Sequence, residues 1–225
     1  MIDISSQIGA VTRTVRPGGE RDGVATTAVT ASQTYPVPAE EVWHALTDPE
    51  RLPRWFMPVS GDLRPGGRFQ LEGNAGGEVL GCEPPRRLSI TWEFGEVVSW
   101  VDVTLTEDGG RTVLELVHTS PSEDDHTRRY GPGAAGVGWD LSLMGLSLHL
   151  TTGAGVVPEE VQAWAVSAEG QEFMVASARA WGAAAVAGGE DEATARAAAE
   201  RTTAFYLGQE PPAPVGPEAT DVRPA

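Results

Sequence analysis

The chain has 225 residues, with 32 acidic against 16 basic side chains and a formal net charge of −16. So acidic a surface is repelled by phosphate backbones, which excludes nucleic acid as a general partner. With 40% hydrophobic and 21% charged residues the chain can bury a real core, as one domain with an extension or as two small domains.

The first residues, MIDISSQIGAVTRTV, carry an acid at Asp3, no basic start and no long apolar run, so a secretory signal is not expected there. A short strand is expected at Ala10–Val15, followed by the loop-like cluster RPGGERDG. ATTAVTASQTY is rich in Thr and Val and reads as a strand, stopped by Pro36 and Pro38. In PAEEVWHALT the residues Val42, Trp43 and Leu46 fall at helical spacing behind acids in the first turn. Asp48-Pro49 breaks that helix and opens a second short one, and Pro-Gly-Gly at 65–67 marks a hairpin.

The next fifty or so residues alternate as half-buried antiparallel strands do. Leu88, Ile90, Trp92 and Phe94 share one face, Val101, Val103 and Leu105 another, and Leu114, Leu116 and His118 a third. Trp100 has the opposite parity to Val101, so it belongs outside the sheet's concave side, exposed or under the C-terminal part of the chain. VGWDLSLMGLSLHL (137–150) is too short to span a bilayer and too apolar for a helix with one wet face. Beyond Gly155 three Ala-rich helices are expected, with Ser167 and Asp191 as N-caps of the second and third and Gly208 as the stop of the last. QEPPAPVGPEATDVRPA reads as a disordered tail.

The motifs VPAEEVWHALTDPERLPRWF, GDLRPGGRFQLEG, PPRRLSITWEF, TVLELVHT and GVGWDLSLMGLSLHL, in this order, resemble the SRPBCC (START-like) superfamily, and within it the heat-shock-protein ATPase activator homologues, the AHSA branch. The resemblance covers about residues 25–152. It implies an α+β helix-grip fold: a curved antiparallel sheet wrapped around a long helix, with a hydrophobic cavity between them. The expected layout is an N-terminal segment (1–24), the helix-grip domain (25–155), a helical extension packed on it (156–208) and the tail (209–225). The superfamily includes lipid carriers, polyketide cyclases and aromatases, so membership does not select a reaction.

On this reading Leu88, Ile90, Trp92, Leu116, His118, Trp139, Leu143 and Leu146 face the cavity and bind a small hydrophobic or aromatic molecule. His118 could hydrogen-bond that ligand or serve as acid/base in a cyclase, aromatase or hydrolase, but a core histidine satisfied by its neighbours is the preferred reading. His149 lies beside Ser142, at a cavity mouth or on a solvated flank. A third functional class, a chaperone-interacting module, rests on the branch's name alone. No cofactor or metal is expected. Cys82 is the sole cysteine, and the cluster of His126 with Glu123, Asp124 and Asp125 lacks a metal-binding spacing. Neither a nucleophile elbow nor a nucleotide-binding glycine loop is found. A cytoplasmic protein without membrane association is expected. The back of the long helix, Val137, Leu141, Met144 and Leu148, needs a cover, which the extension or a homodimer would supply.

Overall fold

The computed structural model describes residues 3–21, 23–153, 155 and 157–209; the expected tail, apart from Gln209, lies outside them. In chain order the elements are α1 (Ile4–Ala10), β1 (Thr12–Arg21), β2 (Val24–Tyr35), α2 (Ala39–Thr47), a 3-10 turn at Leu52–Arg54, β3 (Val59–Gly61), β4 (Arg68–Leu71) and β5 (Gly76–Glu83). They continue with β6 (Arg87–Phe94), β7 (Val97–Asp108), β8 (Arg111–Pro121), α3 (Asp125–Tyr130), α4 (Gly133–Thr152), α5 (Pro158–Ala165), α6 (Ala168–Ala187) and α7 (Glu192–Tyr206).

The eight strands form one antiparallel, curved sheet in the order β1-β2-β8-β7-β6-β5-β4-β3. Period-two alternation sets its register. Leu105, Val103 and Val101 stand opposite Leu114, Leu116 and His118, and Leu116 and His118 stand opposite Ala31 and Val29 of β2. Each is buried on the concave side. The turn at the end of β2 follows from Pro36 and Pro38, and the first turn of α2 is satisfied from the sheet: the Ala39 amide donates to Glu107 Oε2 at 2.8 Å.

The strand and the loop expected near the N-terminus are corrected. Residues 4–10 form a helix, capped by Asp3, whose side chain accepts from the Ser6 amide. The strand expected at Ala10–Val15 runs on to Arg21, through Pro-Gly-Gly, because β1 is an edge strand and a register shift between Pro17 and Gly19 absorbs the proline's missing donor. Gly18 is required there, since a Cβ would stand 2.5 Å from Thr26 Oγ1. Trp100 does lie on the outer side, but the Arg21 guanidinium covers it, 4.8 Å from the ring centroid, rather than the C-terminal helices.

α4 crosses the concave side and is buried on two sides. It ends at Gly153, whose φ of 68° is the left-handed cap that glycine adopts without strain. Behind it, Val137 joins the main core with Ala178 and Trp181 of α6. Met144 packs with Phe173 and Ile4, flanked by Leu141, Leu148, Ile8 and Trp164, so α1 shares the cover with α6. Approach is close: a Cβ on Gly136 would stand 2.4 Å from the Trp181 ring. α6 and α7 carry the expected caps, Ser167 accepting from the Gly170 amide and Asp191 from the Thr194 amide.

Asp140, the single formal charge of the helix's apolar stretch, is 1% exposed on this back side. Arg13 of β1 donates from Nε to both carboxylate oxygens at 3.2 and 3.0 Å, Trp181 Nε1 donates at 3.2 Å, and Ser177 Oγ completes the shell. Burial pushes the carboxyl pKa up, opposed by Arg13, Ser177 and Trp181. Nη1 is tied to the α1–β1 junction, donating to the Ile8 and Val11 carbonyls at 3.0 and 2.9 Å, while Nη2 stands 3.0 Å from Asp140 Oδ2 in the ion pair. One carboxylate thus joins α1, β1, α4 and α6.

Candidate functional site

Between the sheet and α4 lies a cavity of about 170 Å³. Alternation on β6, β7 and β8 supplies one wall, with Leu88, Ile90, Trp92, Val101, Val103 and Leu116. The 3.6-residue period of α4 supplies the opposite wall, with Trp139, Ser142, Leu143 and Leu146. Trp55 and Phe56, stacked 5.4 Å apart after the 3-10 turn, close one end. Trp55 is held by its Nε1 donating to the Ala45 carbonyl at 2.9 Å.

The hydroxyls in the lining are already bonded within the chain. Ser142 Oγ donates to the Gly138 carbonyl at 2.8 Å and Thr47 Oγ1 to the Trp43 carbonyl at 2.8 Å, each within its own helix. Their oxygen lone pairs remain for a guest. Cys82 also lines the cavity, and burial raises its thiol pKa. No Asp, Glu, Arg or His is among the lining residues.

Seven of the eight residues expected at the site line this cavity; His118 does not. The imidazole is 6% exposed and lies behind the two tryptophans, with ring centroids 6.4 Å from Trp92 and 5.7 Å from Trp139. Its hydrogen bonds fix the tautomer. Trp139 Nε1, which can only donate, points at Nδ1 at 3.0 Å, so Nδ1 is unprotonated. Nε2 therefore carries the proton and donates to Ser99 Oγ at 2.8 Å, and Ser99 donates on to the Trp92 carbonyl at 2.9 Å. Burial lowers the imidazole pKa to about 4, so the ring is neutral at pH 7. The chain of bonds sets the angle at which Trp92 and Trp139 meet, edge to face with centroids 5.1 Å apart. His118 is thus a positioning residue behind the wall, as parity placed it inward but could not place it in depth.

The other polar candidates also have structural partners. His149 is 6% exposed, with Arg51 Nη2 3.2 Å from its Nε2, so the solvated flank is corrected to a buried position outside the cavity lining. In the acidic loop Asp124 caps α3, Asp125 and Glu123 pair with Arg128, and His126 packs on the rings of Tyr130 and Phe205. Among the described residues no cluster of His, Cys, Asp and Glu could hold a metal ion, and no helix is long and apolar enough to cross a membrane.

A curved antiparallel sheet gripping a long helix over an apolar cavity defines an SRPBCC-type helix-grip protein. Within that class the chain belongs to the family described as activator of Hsp90 ATPase homolog 1-like protein, whose pattern it matches over residues 36–151. It is similar to CalU16 of Micromonospora echinospora. The crystal structure of CalU16 superposes with a TM-score of 0.60 at 36% identity over 78% of this chain and 98% of that one. For the solution structure the values are 0.64, 35%, 80% and 97%. Residues 1–151 make up only about two thirds of the chain, so the likeness to CalU16 includes part of the C-terminal extension. DynU16, a protein of the dynemicin biosynthetic locus, is similar at 28% identity and a TM-score of 0.50, over 57% of this chain and 48% of its own. An uncharacterized protein of Schizosaccharomyces pombe is 32% identical over 110 residues, 43% of this chain; the match spans only about a third (32%) of that relative's length.

Proposed function

We propose that the protein binds a small, uncharged hydrophobic or aromatic molecule in the cavity between the sheet and α4. The observation that carries this reading is the lining: about 170 Å³ bordered mainly by aliphatic and aromatic side chains, with the Ser142 and Thr47 hydroxyls already bonded within the chain. A charged guest would lose its hydration without gaining a charged partner, whereas an apolar one removes its own surface from water. An apolar cavity of roughly 150 Å³ accommodates benzene, so a guest of one or two fused rings is the size that fits without rearrangement. The likeness to DynU16, a protein of a biosynthetic locus, supports a small-molecule role. Acid/base chemistry by His118 gains no support from its position, since both ring nitrogens are engaged behind the tryptophans.

Naphthalene is the direct probe. It should quench emission from Trp92 and Trp139, raise the melting temperature and protect Cys82, the single thiol, from a small apolar alkylating agent. At 100 times its dissociation constant a guest stabilises by about 2.7 kcal/mol. A melting temperature unmoved by naphthalene and by a panel of one- and two-ring aromatics, with Cys82 alkylated at an unchanged rate, would overturn the proposal.

A further inference from the structure

A second concavity, of about 650 Å³, opens where the β1-β2-β8 end of the sheet faces the α6–α7 hairpin around the first turn of α4. Its chemistry is unlike that of the first. Val29 and Ala195, 7% and 3% exposed, belong to an apolar floor, while Thr27, Ser120 and Ser122 contribute hydroxyls. The charged residues that line it are Arg16, Arg128 and Arg201 against one acid, Glu190. In a chain with twice as many acids as bases this is a local reversal of sign.

The arginines are not equally committed. Arg128 is shared with Asp125 and Glu123. Arg201 is half-buried and anchored by Nε, which donates to the Arg129 carbonyl at 2.6 Å. That single bond fixes the plane of the guanidinium while leaving its terminal nitrogens without a carboxylate partner among the described residues. α4 adds to the same field, because its first turn holds no acid and its N-terminus has no side-chain cap. An oriented guanidinium beside an apolar floor is the arrangement that pairs with a planar or tetrahedral anion carried on a nonpolar group.

We propose that this cleft is a binding site for an anionic small molecule, a carboxylate or phosphate monoester on a small apolar body. It is independent of the uncharged guest assigned to the cavity under α4.

The test uses full-length protein labelled with 15N, titrated with benzoate, phenyl phosphate and, as the neutral counterpart, benzyl alcohol. At least one anion should shift the amides of Gly131, Gly133–Ala135 and Thr194–Ala198, more weakly as salt rises from about 20 to 200 mM. A response to benzoate alone assigns a carboxylate, and one to phenyl phosphate alone a phosphate. Arg201→Gln should weaken the anion roughly tenfold at unchanged melting temperature. Arg128→Gln, at an exposed side chain, should weaken it about threefold and carries the test if Arg201→Gln fails to fold. Saturation with naphthalene should leave the anion's affinity unchanged, so failure of either site is read separately. Neither anion binding at about 10 mM, benzyl alcohol shifting the same amides as strongly, or unchanged affinity in the folded variants would each overturn the assignment.

Discussion

On its sheet side α4 presents Trp139, Leu143 and Leu146 to unfilled space. On its other side Val137, Asp140 and Met144 meet α1, β1 and α6 at exposures of 0%, 1% and 8%, and a glycine at 136 is needed to let Trp181 approach. The same helix is therefore packed loosely where a guest would enter and tightly where the chain's ends are joined. The loose side carries no charged residue in its lining and depends on one buried histidine behind its wall, and the tight side contains a buried ion pair. The contrast assigns stability to the back of α4 and freedom to change to the front.

The harshest test is to remove the tight side. Truncation after Gly155 deletes Phe173, Ala178 and Trp181, exposing Met144 and Val137 and leaving the Arg13–Asp140 pair without two of its donors. The fragment is expected to aggregate, scored by soluble yield and size-exclusion chromatography. A monomeric fragment with the parent's urea midpoint would show that the back face needs no cover and would collapse the contrast.

Next in size is the charge itself. Asp140→Ala leaves Arg13, 7% exposed at its side chain, without its counter-ion. Breaking a buried pair in this way costs about 3–5 kcal/mol. Replacing both partners, Arg13→Met with Asp140→Leu, should recover most of the loss, because the penalty comes from the orphaned charge. Urea unfolding of the single and double variants gives both numbers, and a cost below about 1 kcal/mol for Asp140→Ala would demote the pair to surface-like strength.

On the cavity side the corresponding liability is His118, and it is read by pH. Its folded pKa of about 4 lies below the ordinary value of 6.5, so the fold favours the neutral ring. Stability from this group is complete above pH 6.5, declines as pH falls and levels off near pH 4, a loss of roughly 3 kcal/mol. Asp140 has the opposite sign, since burial raises its pKa and protonation relieves the folded state. In His118→Gln the histidine's contribution between pH 6.5 and 4 should vanish from urea midpoints. An unchanged acid slope in that variant would mean that the ring is not held neutral by burial.

Much of the loose side was legible in the sequence; of the tight side the apolar stripe was, but not the ion pair within it. Alternation in Val101 and Val103 and helical spacing in Trp139, Leu143 and Leu146 depend only on local geometry, so they identify the cavity faces directly. Periodicity gives a direction and not a depth, which is why His118 shares the inward face of Leu116 yet stands behind Trp139. The caps Ser167 and Asp191 are readable for the same local reason. Asp140 meets an arginine 127 positions away, and no local rule supplies that partner. The available signal was its solitude, one charge in an apolar helix that has two buried sides. The strand through Pro17 was hidden because a proline is excluded only from strands paired on both sides, and β1 lies at an edge.

The smallest effect separates the two faces most sharply, because it applies one kind of change to both. Cys82→Leu enlarges a half-buried side chain that borders the cavity, where space exists to receive it. Ala178→Leu enlarges a residue 1% exposed in the back-face core, where no such space borders it in the lining of either concavity. Overpacking costs typically 1–3 kcal/mol, and a swap the site can absorb less than about 1.5 kcal/mol. Ala178→Leu should therefore fall in the first range while naphthalene still binds. Cys82→Leu should leave the urea midpoint nearly unchanged and abolish naphthalene binding, since the leucine takes the guest's volume. Equal losses of stability in the two variants would mean that the space under α4 closes in solution and that the helix is packed alike on both sides.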